Sequence, residues 1–145
     1  MKALTIHQPW AWLIVEGHKR VENRPRAFAH RGPLAIHAGQ RRGAQKYAAA
    51  AGGLDGLIDT LRAAGYPVPD ADELTYGAVV GTVELVDVVR MGNEPRLPGM
   101  DAHGLASEPF ATGPVCWVLA EPKRLAEPIP CRGKQGLFEV EVEVR

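Results

Sequence analysis

Apolar and polar positions change period several times along this chain, and each change predicts an element. Lys2 to His7 reads as a strand centred on Ala3-Leu4-Thr5-Ile6. Pro9 then opens a helix, because its fixed φ and missing N–H suit a first helical turn. The helix runs through Trp10 to Glu16 and stops at Gly17, a C′ glycine. At about two turns it cannot stand alone and must dock through Trp10, Leu13 and Ile14. Lys19 to Asn23 reads as a short strand closed by Pro25. Arg31-Gly32-Pro33 is a turn signal, and Leu34 to His37 a short buried strand. Ala44 to Ala64 is alanine-rich and helical in tendency. Gly52-Gly53 and Gly56 weaken its middle, which predicts two short helices, the second around Leu57 to Arg62. Residues 65–72 form a loop with two prolines. Gly77 to Val89 is the strongest strand, with Gly81 marking a bulge or bend. Residues 90–113 read as loop, Val115 to Leu119 as a strand, and Lys134 to Gly136 as a turn. Leu137 to Arg145 alternates cleanly, Val140, Val142 and Val144 against Glu139, Glu141 and Glu143. Short strands dominate and no parallel strand–helix–strand rhythm appears. The predicted class is α+β: a small mixed or antiparallel β-barrel with short flanking helices, closure removing exposed edges.

Composition narrows this picture. The 145 residues suit one domain, expected to span the whole chain with a helical, acidic insertion over about 44–75. No apolar run approaches the roughly 18 residues of a membrane span. His7, Gln8 and Glu16 interrupt the N-terminal apolar stretch, so no signal peptide is expected and the expected location is cytoplasmic. Cys116 and Cys131 are then expected as thiols, with Cys116 in the core. The net charge is zero, but residues 1–46 carry nine Lys or Arg against two acids, and residues 47–110 carry three against ten. This balance excludes a protein that coats polyanions over its whole surface and leaves room for a local basic face.

Several chemistries are missing. The one serine, Ser107, has no nucleophile-elbow context. No phosphate-binding glycine loop occurs, and the five histidines lack metal-ligand spacing, so neither a metal nor a cofactor is expected. Four clusters could carry chemistry. His7-Gln8-Pro9-Trp10 sits at a helix start, where unpaired N–H groups attract anions and Trp10 could stack on a planar ring; Trp10 could equally anchor the core, as Trp12 is expected to do. Glu22 and Arg24 share a strand face with Lys19 just before it, forming either a pocket wall or a surface ion pair. His37 ends an apolar strand as a pocket donor or a satisfied core histidine. Gly133-Lys134-Gln135-Gly136 either lets backbone approach a ligand or is an ordinary hairpin turn.

Five motifs occur in order: His7-Gln8-Pro9-Trp10-Ala11; Gly17, Lys19, Glu22 and Arg24 as G-x-K-x-x-E-x-R; Arg31-Gly32-Pro33-Leu34-Ala35-Ile36-His37-Ala38; Gly81-Thr82-Val83; and Gly133-Lys134-Gln135-Gly136-Leu137. Together they resemble the ASCH (activating signal cointegrator homology) domain family of the PUA-like superfamily. The resemblance covers about residues 3–142. It implies a β-barrel with a helix beside a cleft lined by G-x-K-x-x-E-x-R, and a nucleic-acid partner, RNA ahead of DNA, or a nucleotide. The expected ligand contacts are then Gln8, Pro9, Trp10, Lys19, Glu22, Arg24, His37, Lys134 and Gln135. Some members of the family are enzymes. One branch resembles a small amidohydrolase for N4-acetylcytidine that uses a Lys, a Thr three residues later and a distant Glu; here Lys19 is kept, but Glu22 stands where that Thr would be. Another branch is ribonuclease-like. A hydrolase using Lys19 with Glu22 as general base is therefore the alternative to a binding module. A third reading is a protein-interaction module presenting residues 47–110.

Overall fold

The computed structural model describes residues 1–91 and 101–142. Its strands are β1 (Lys2–Ile6), β2 (Val21–Arg24), β3 (Gly32–Ala38), β4 (Ala78–Arg90), β5 (Val115–Pro130) and β6 (Leu137–Glu139). The helices are α1 (Trp10–Val15), α2 (Arg41–Tyr47) and α3 (Gly53–Ala63), with 3₁₀ turns at Ala49–Ala51, Ala71–Glu73 and Leu105–Ser107. The strands form one six-stranded sheet in the order β2-β5-β4-β3-β1-β6. β1 and β3 are parallel and the other pairs antiparallel, so the sheet is mixed. It curls into a half-barrel with β2 and β6 as its edges. No helix among the described residues is long and apolar enough to cross a membrane.

The curl has a local cause. The β4–β5 ladder shifts register three times, and each such irregularity adds bend and right-handed twist. Gly81 sits at the first of these shifts. A Cβ there would lie 2.5 Å from the Lys123 carbonyl oxygen and 2.6 Å from Val15 Cγ1, so only glycine lets α1 lie this close to the sheet.

The short helix α1 joins two apolar clusters. Ala11, Ile14 and Val15 pack with Leu4, Ile6, Leu34, Ile36, Leu85 and Trp117 inside the half-barrel. Leu13 instead enters the cluster built by Ala44, Leu54, Ile58, Leu61 and Val68 between β3 and β4. Burial of both sides stabilises a six-residue helix that would not form alone. Gly17, at φ +84°, ends it as expected. Cys116 is fully buried beside Val21, Leu105 and Val118, and neither cysteine is in a disulfide.

β3 begins at Gly32, so Gly32-Pro33, expected as a turn, belongs to the strand, and two strands differ from expectation by more than this. β5 runs on to Pro130 rather than stopping at Leu119. Its second half is polar, exposed and broken by Pro122, Pro128 and Pro130, which hides strand character from any periodicity. It is held by pairing with Ala78–Glu84 across two of the register shifts. β6 covers only Leu137–Glu139 of the alternating C-terminal stretch. Val140 and Val142 still pack against Ala3, Ala35, Val79 and Phe138. Residues 143–145 of that expected strand, and 92–100 of the expected loop, lie outside the described residues.

Candidate functional site

β2 is built by alternation. Val21 points inward to the cluster with Leu105, Cys116 and Val118, and Asn23 points the same way. Glu22 and Arg24 take the other face. Lys19 precedes the strand, and the turn after Gly17 returns its ammonium to that face: Nζ lies 2.9 Å from Glu22 Oε1. Glu22 Oε2 accepts from Arg24 at 3.0 Å (Nη2) and 3.2 Å (Nε), and Arg24 Nη2 also donates to the Thr5 carbonyl at 2.8 Å. One carboxylate therefore holds two cations. The side chains of Lys19 and Glu22 are only 5% and 12% exposed and that of Arg24 28%, so a buried charge pair grades into an accessible guanidinium.

These three residues line a cavity of about 630 Å³, whose walls also include Thr5, His7, Trp10, Asn23, Tyr47, Phe110 and Thr112. Trp10 anchors the core and also forms part of the cavity wall. It packs at the edge of two core clusters, and its ring lies 5.8 Å from Lys19 Nζ, a cation–π distance. Phe110 meets Trp10 edge to face at 6.0 Å. The cavity has charge on one wall and aromatic surface on another.

The other expected contacts fall elsewhere. Gln8 is buried and its amide is spent locally: Oε1 accepts from the Trp12 N–H of α1, and Nε2 donates to the Thr75 carbonyl. Pro9 caps the same turn, where Ala11 N–H is bonded to the His7 carbonyl. The first-turn donors of Ala11 and Trp12 are thus already paired. His37 is 1% exposed, its ring nitrogens bonded to Thr5 Oγ1 and the Cys131 carbonyl. Lys134 and Gln135 are exposed on the loop before β6. That loop lies against the other side of Thr5, since a Cβ on Gly133 would come within 2.6 Å of Thr5 Oγ1 and 2.8 Å of His37 Cε1. Among the described residues no group of three or more His, Cys, Asp or Glu could hold a metal ion.

Sequence reasoning missed Asn23, Phe110, His7 and Tyr47. Asn23 Oδ1 accepts from the backbone N–H groups of Thr112 and Gly113, and Nδ2 donates to the Phe110 carbonyl. It thereby ties the opposite wall of the cavity to β2. Nothing in the sequence links residue 23 to residues 110–113; that pairing is tertiary. His7 belongs to the His7-Gln8-Pro9-Trp10-Ala11 motif, where nothing in the pattern separates it from its neighbours. Its Nδ1 is buried without a partner, and burial pushes its pKa below the usual 6.5. The Arg24 charge lowers it further, and Glu22 partly opposes this.

A pH effect follows from His7. Unfolded chains take up its proton near pH 6.5, whereas the folded chain resists until lower pH. Stability should therefore fall as pH drops from about 6.5 toward the lowered folded pKa, and level off below it. Asp70, Asp87 and Glu139, held below their usual range mainly by hydrogen bonds from Arg62, His103 and Lys2, act in the same direction only at more acidic pH. Thermal unfolding of the parent and of His7→Phe between pH 7 and 5 checks this. The parent should lose stability over that range and the variant less; parallel curves would exclude the assignment.

Residues 4–129 match the ASCH domain model, and the chain belongs to the ASCH domain family. It is 25% identical over 142 residues to activating signal cointegrator 1 from Homo sapiens and 27% identical over 143 residues to the Mus musculus protein of that name. Each alignment covers 97% of this chain but only 22% of the relative, so the chain spans a small part of the length of these proteins. A crystal structure of ASCH from Zymomonas mobilis has a similar fold, with a TM-score of 0.50 at 16% identity over 97% of this chain and 87% of that one.

Proposed function

We propose that the cleft binds one nucleotide unit of a nucleic-acid strand, RNA ahead of DNA. The observation that carries this reading is the two-cation, one-carboxylate array of Lys19, Glu22 and Arg24 in a cavity faced by Trp10 and Phe110. With His7 held neutral, these charges leave an excess of about one positive charge at the cavity wall. Both Glu22 oxygens are occupied, whereas Lys19 uses one of its three donors and Arg24 Nη1 has no hydrogen-bond partner among the described residues. The site therefore offers donors and little acceptor capacity. That suits phosphate oxygens and base carbonyls, and the aromatic wall suits a planar base. The cavity volume falls within the usual range for a small-ligand site and is too confined for a duplex.

The same geometry favours binding over hydrolysis, because a general base needs a lone pair facing the reacting proton and Glu22 directs one oxygen to each cation. Within residues 47–110, the stretch expected for an interaction surface, Leu54, Ile58 and Leu61 are instead buried in the helical cluster.

Arg24→Ala tests the reading. Anisotropy with labelled single-stranded RNA and DNA across a salt series should show weaker binding. The slope of log K against log salt should be shallower by roughly 0.7, the value for one lost phosphate contact on a single strand. Equal binding by variant and parent across the series would refute it.

A further inference from the structure

We propose that Tyr47 and its neighbours on α2 form a second subsite, on which the base next to the one in the cleft stacks while Arg42 and Lys46 carry its phosphate. This rests on the strand-binding reading above and extends it from one nucleotide to two. Tyr47 is 66% exposed, more than any other large apolar side chain among the described residues. Its ring lies against His7 at 5.1 Å between centroids with a 31° tilt, and it forms part of the cavity lip. That position is built. Gly43, one turn earlier, packs so close to His7 that a Cβ would lie 3.0 Å from Cε1, so glycine brings α2 against the cleft. Ala44 and Ala48 are buried in the row on the other side of Gly43 and Tyr47 from Arg42 and Lys46.

Helical spacing then orders the rest. Gly43 and Tyr47 form the row facing His7, and Arg42 and Lys46 form the neighbouring row. Both cations are exposed, and among the described residues neither has an ion-pair partner. An exposed ring beside a basic row at the mouth of a donor-rich cavity matches the usual pattern of single-strand binders, a stacking platform beside a backbone-tracking charge. The occupant is therefore a single-stranded polynucleotide and not an acidic peptide, which would use the charges and leave the ring idle.

The test compares two probes: uridine 5′-monophosphate at millimolar concentration, read by tryptophan fluorescence, and an eight-residue oligouridylate, read by anisotropy. Arg24→Ala should weaken both. Tyr47→Ala should weaken the oligonucleotide roughly fivefold or more, the loss of one stacked base, and the mononucleotide clearly less. Tyr47→Phe should keep parental affinity, because stacking needs the ring and not the hydroxyl. The exposure of Tyr47 predicts an unchanged melting temperature, which separates lost binding from lost folding. Unchanged oligonucleotide binding by Tyr47→Ala, alongside weakening by Arg24→Ala, overturns the subsite alone. Equal weakening of both probes by Tyr47→Ala also overturns it, by placing the ring in the primary cleft. No effect of Arg24→Ala on either probe overturns the cleft itself. Tyr47-dependent binding of polyglutamate in place of the oligonucleotide overturns the polynucleotide assignment.

Discussion

Glu22→Gln should unfold roughly 6–12 °C below the parent, equivalent to about 3 kcal/mol for a chain of this size. The carboxylate is the shared anion of Lys19 and Arg24, and the Lys19 side chain is 5% exposed. An amide has the same shape but no charge, and it must turn an N–H toward one of the two cations. A buried ammonium is then left with little compensation, the situation in which breaking an ion pair is most destabilising. Removing the other partner is milder. Lys19→Met leaves Glu22 paired with Arg24, which is open enough for water to share its charge. In the double variant Lys19→Met/Glu22→Gln the penalty should be well below the sum of the singles, because no orphaned buried cation remains. Urea unfolding of all four proteins measures the coupling. A Glu22→Gln loss under about 0.5 kcal/mol would mean that the array behaves as an ordinary surface pair.

Asn23→Ala should destabilise by about 2 kcal/mol and weaken cleft binding roughly tenfold. One side chain makes three hydrogen bonds to the backbone of residues 110–113, and its Oδ1 also accepts from Cys116 Sγ. Truncation releases the segment that carries Phe110 against Trp10. Water reaches Thr112, so part of the lost bonding is replaced and the stability cost stays moderate. Binding suffers more, because the aromatic wall is no longer held at its distance from the charged one. Asn23→Asp separates the contributions: it keeps the acceptor for Thr112 and Gly113 and loses the donor to Phe110. Its stability should fall between parent and Asn23→Ala. If Asn23→Ala bound oligonucleotide as tightly as the parent, the loop would not be part of the site.

Much of this site is legible from local pattern. Glu22 and Arg24 share a face because a strand has period two, and Gly17 ends α1 because a helix of two turns needs a left-handed stop. Lys19 is harder, since it precedes the pleat and its direction depends on the turn. Gln8 and His37 show the opposite problem. Each is a polar residue beside an apolar run, and only the partners around it reveal that its hydrogen bonds are spent internally. The polar half of β5 was unreadable for a related reason: its strand conformation is imposed by pairing with β4 rather than by burial of alternate residues.

The sequence by itself determined the elements with a strong period, the α+β class with a mixed or antiparallel sheet, and the charged face of β2, because those depend on neighbours a few residues apart. Tertiary structure alone decided which walls meet. Residues 110–113 reach β2 through Asn23, about 90 positions away in the chain, and α2 reaches His7 through Gly43. Hydrogen bonds and close approaches across such separations leave no periodic trace. The motif around Lys19, Glu22 and Arg24 was therefore visible from the start, whereas the cavity it lines existed only once the half-barrel had curled and brought Phe110 and Tyr47 to its edges.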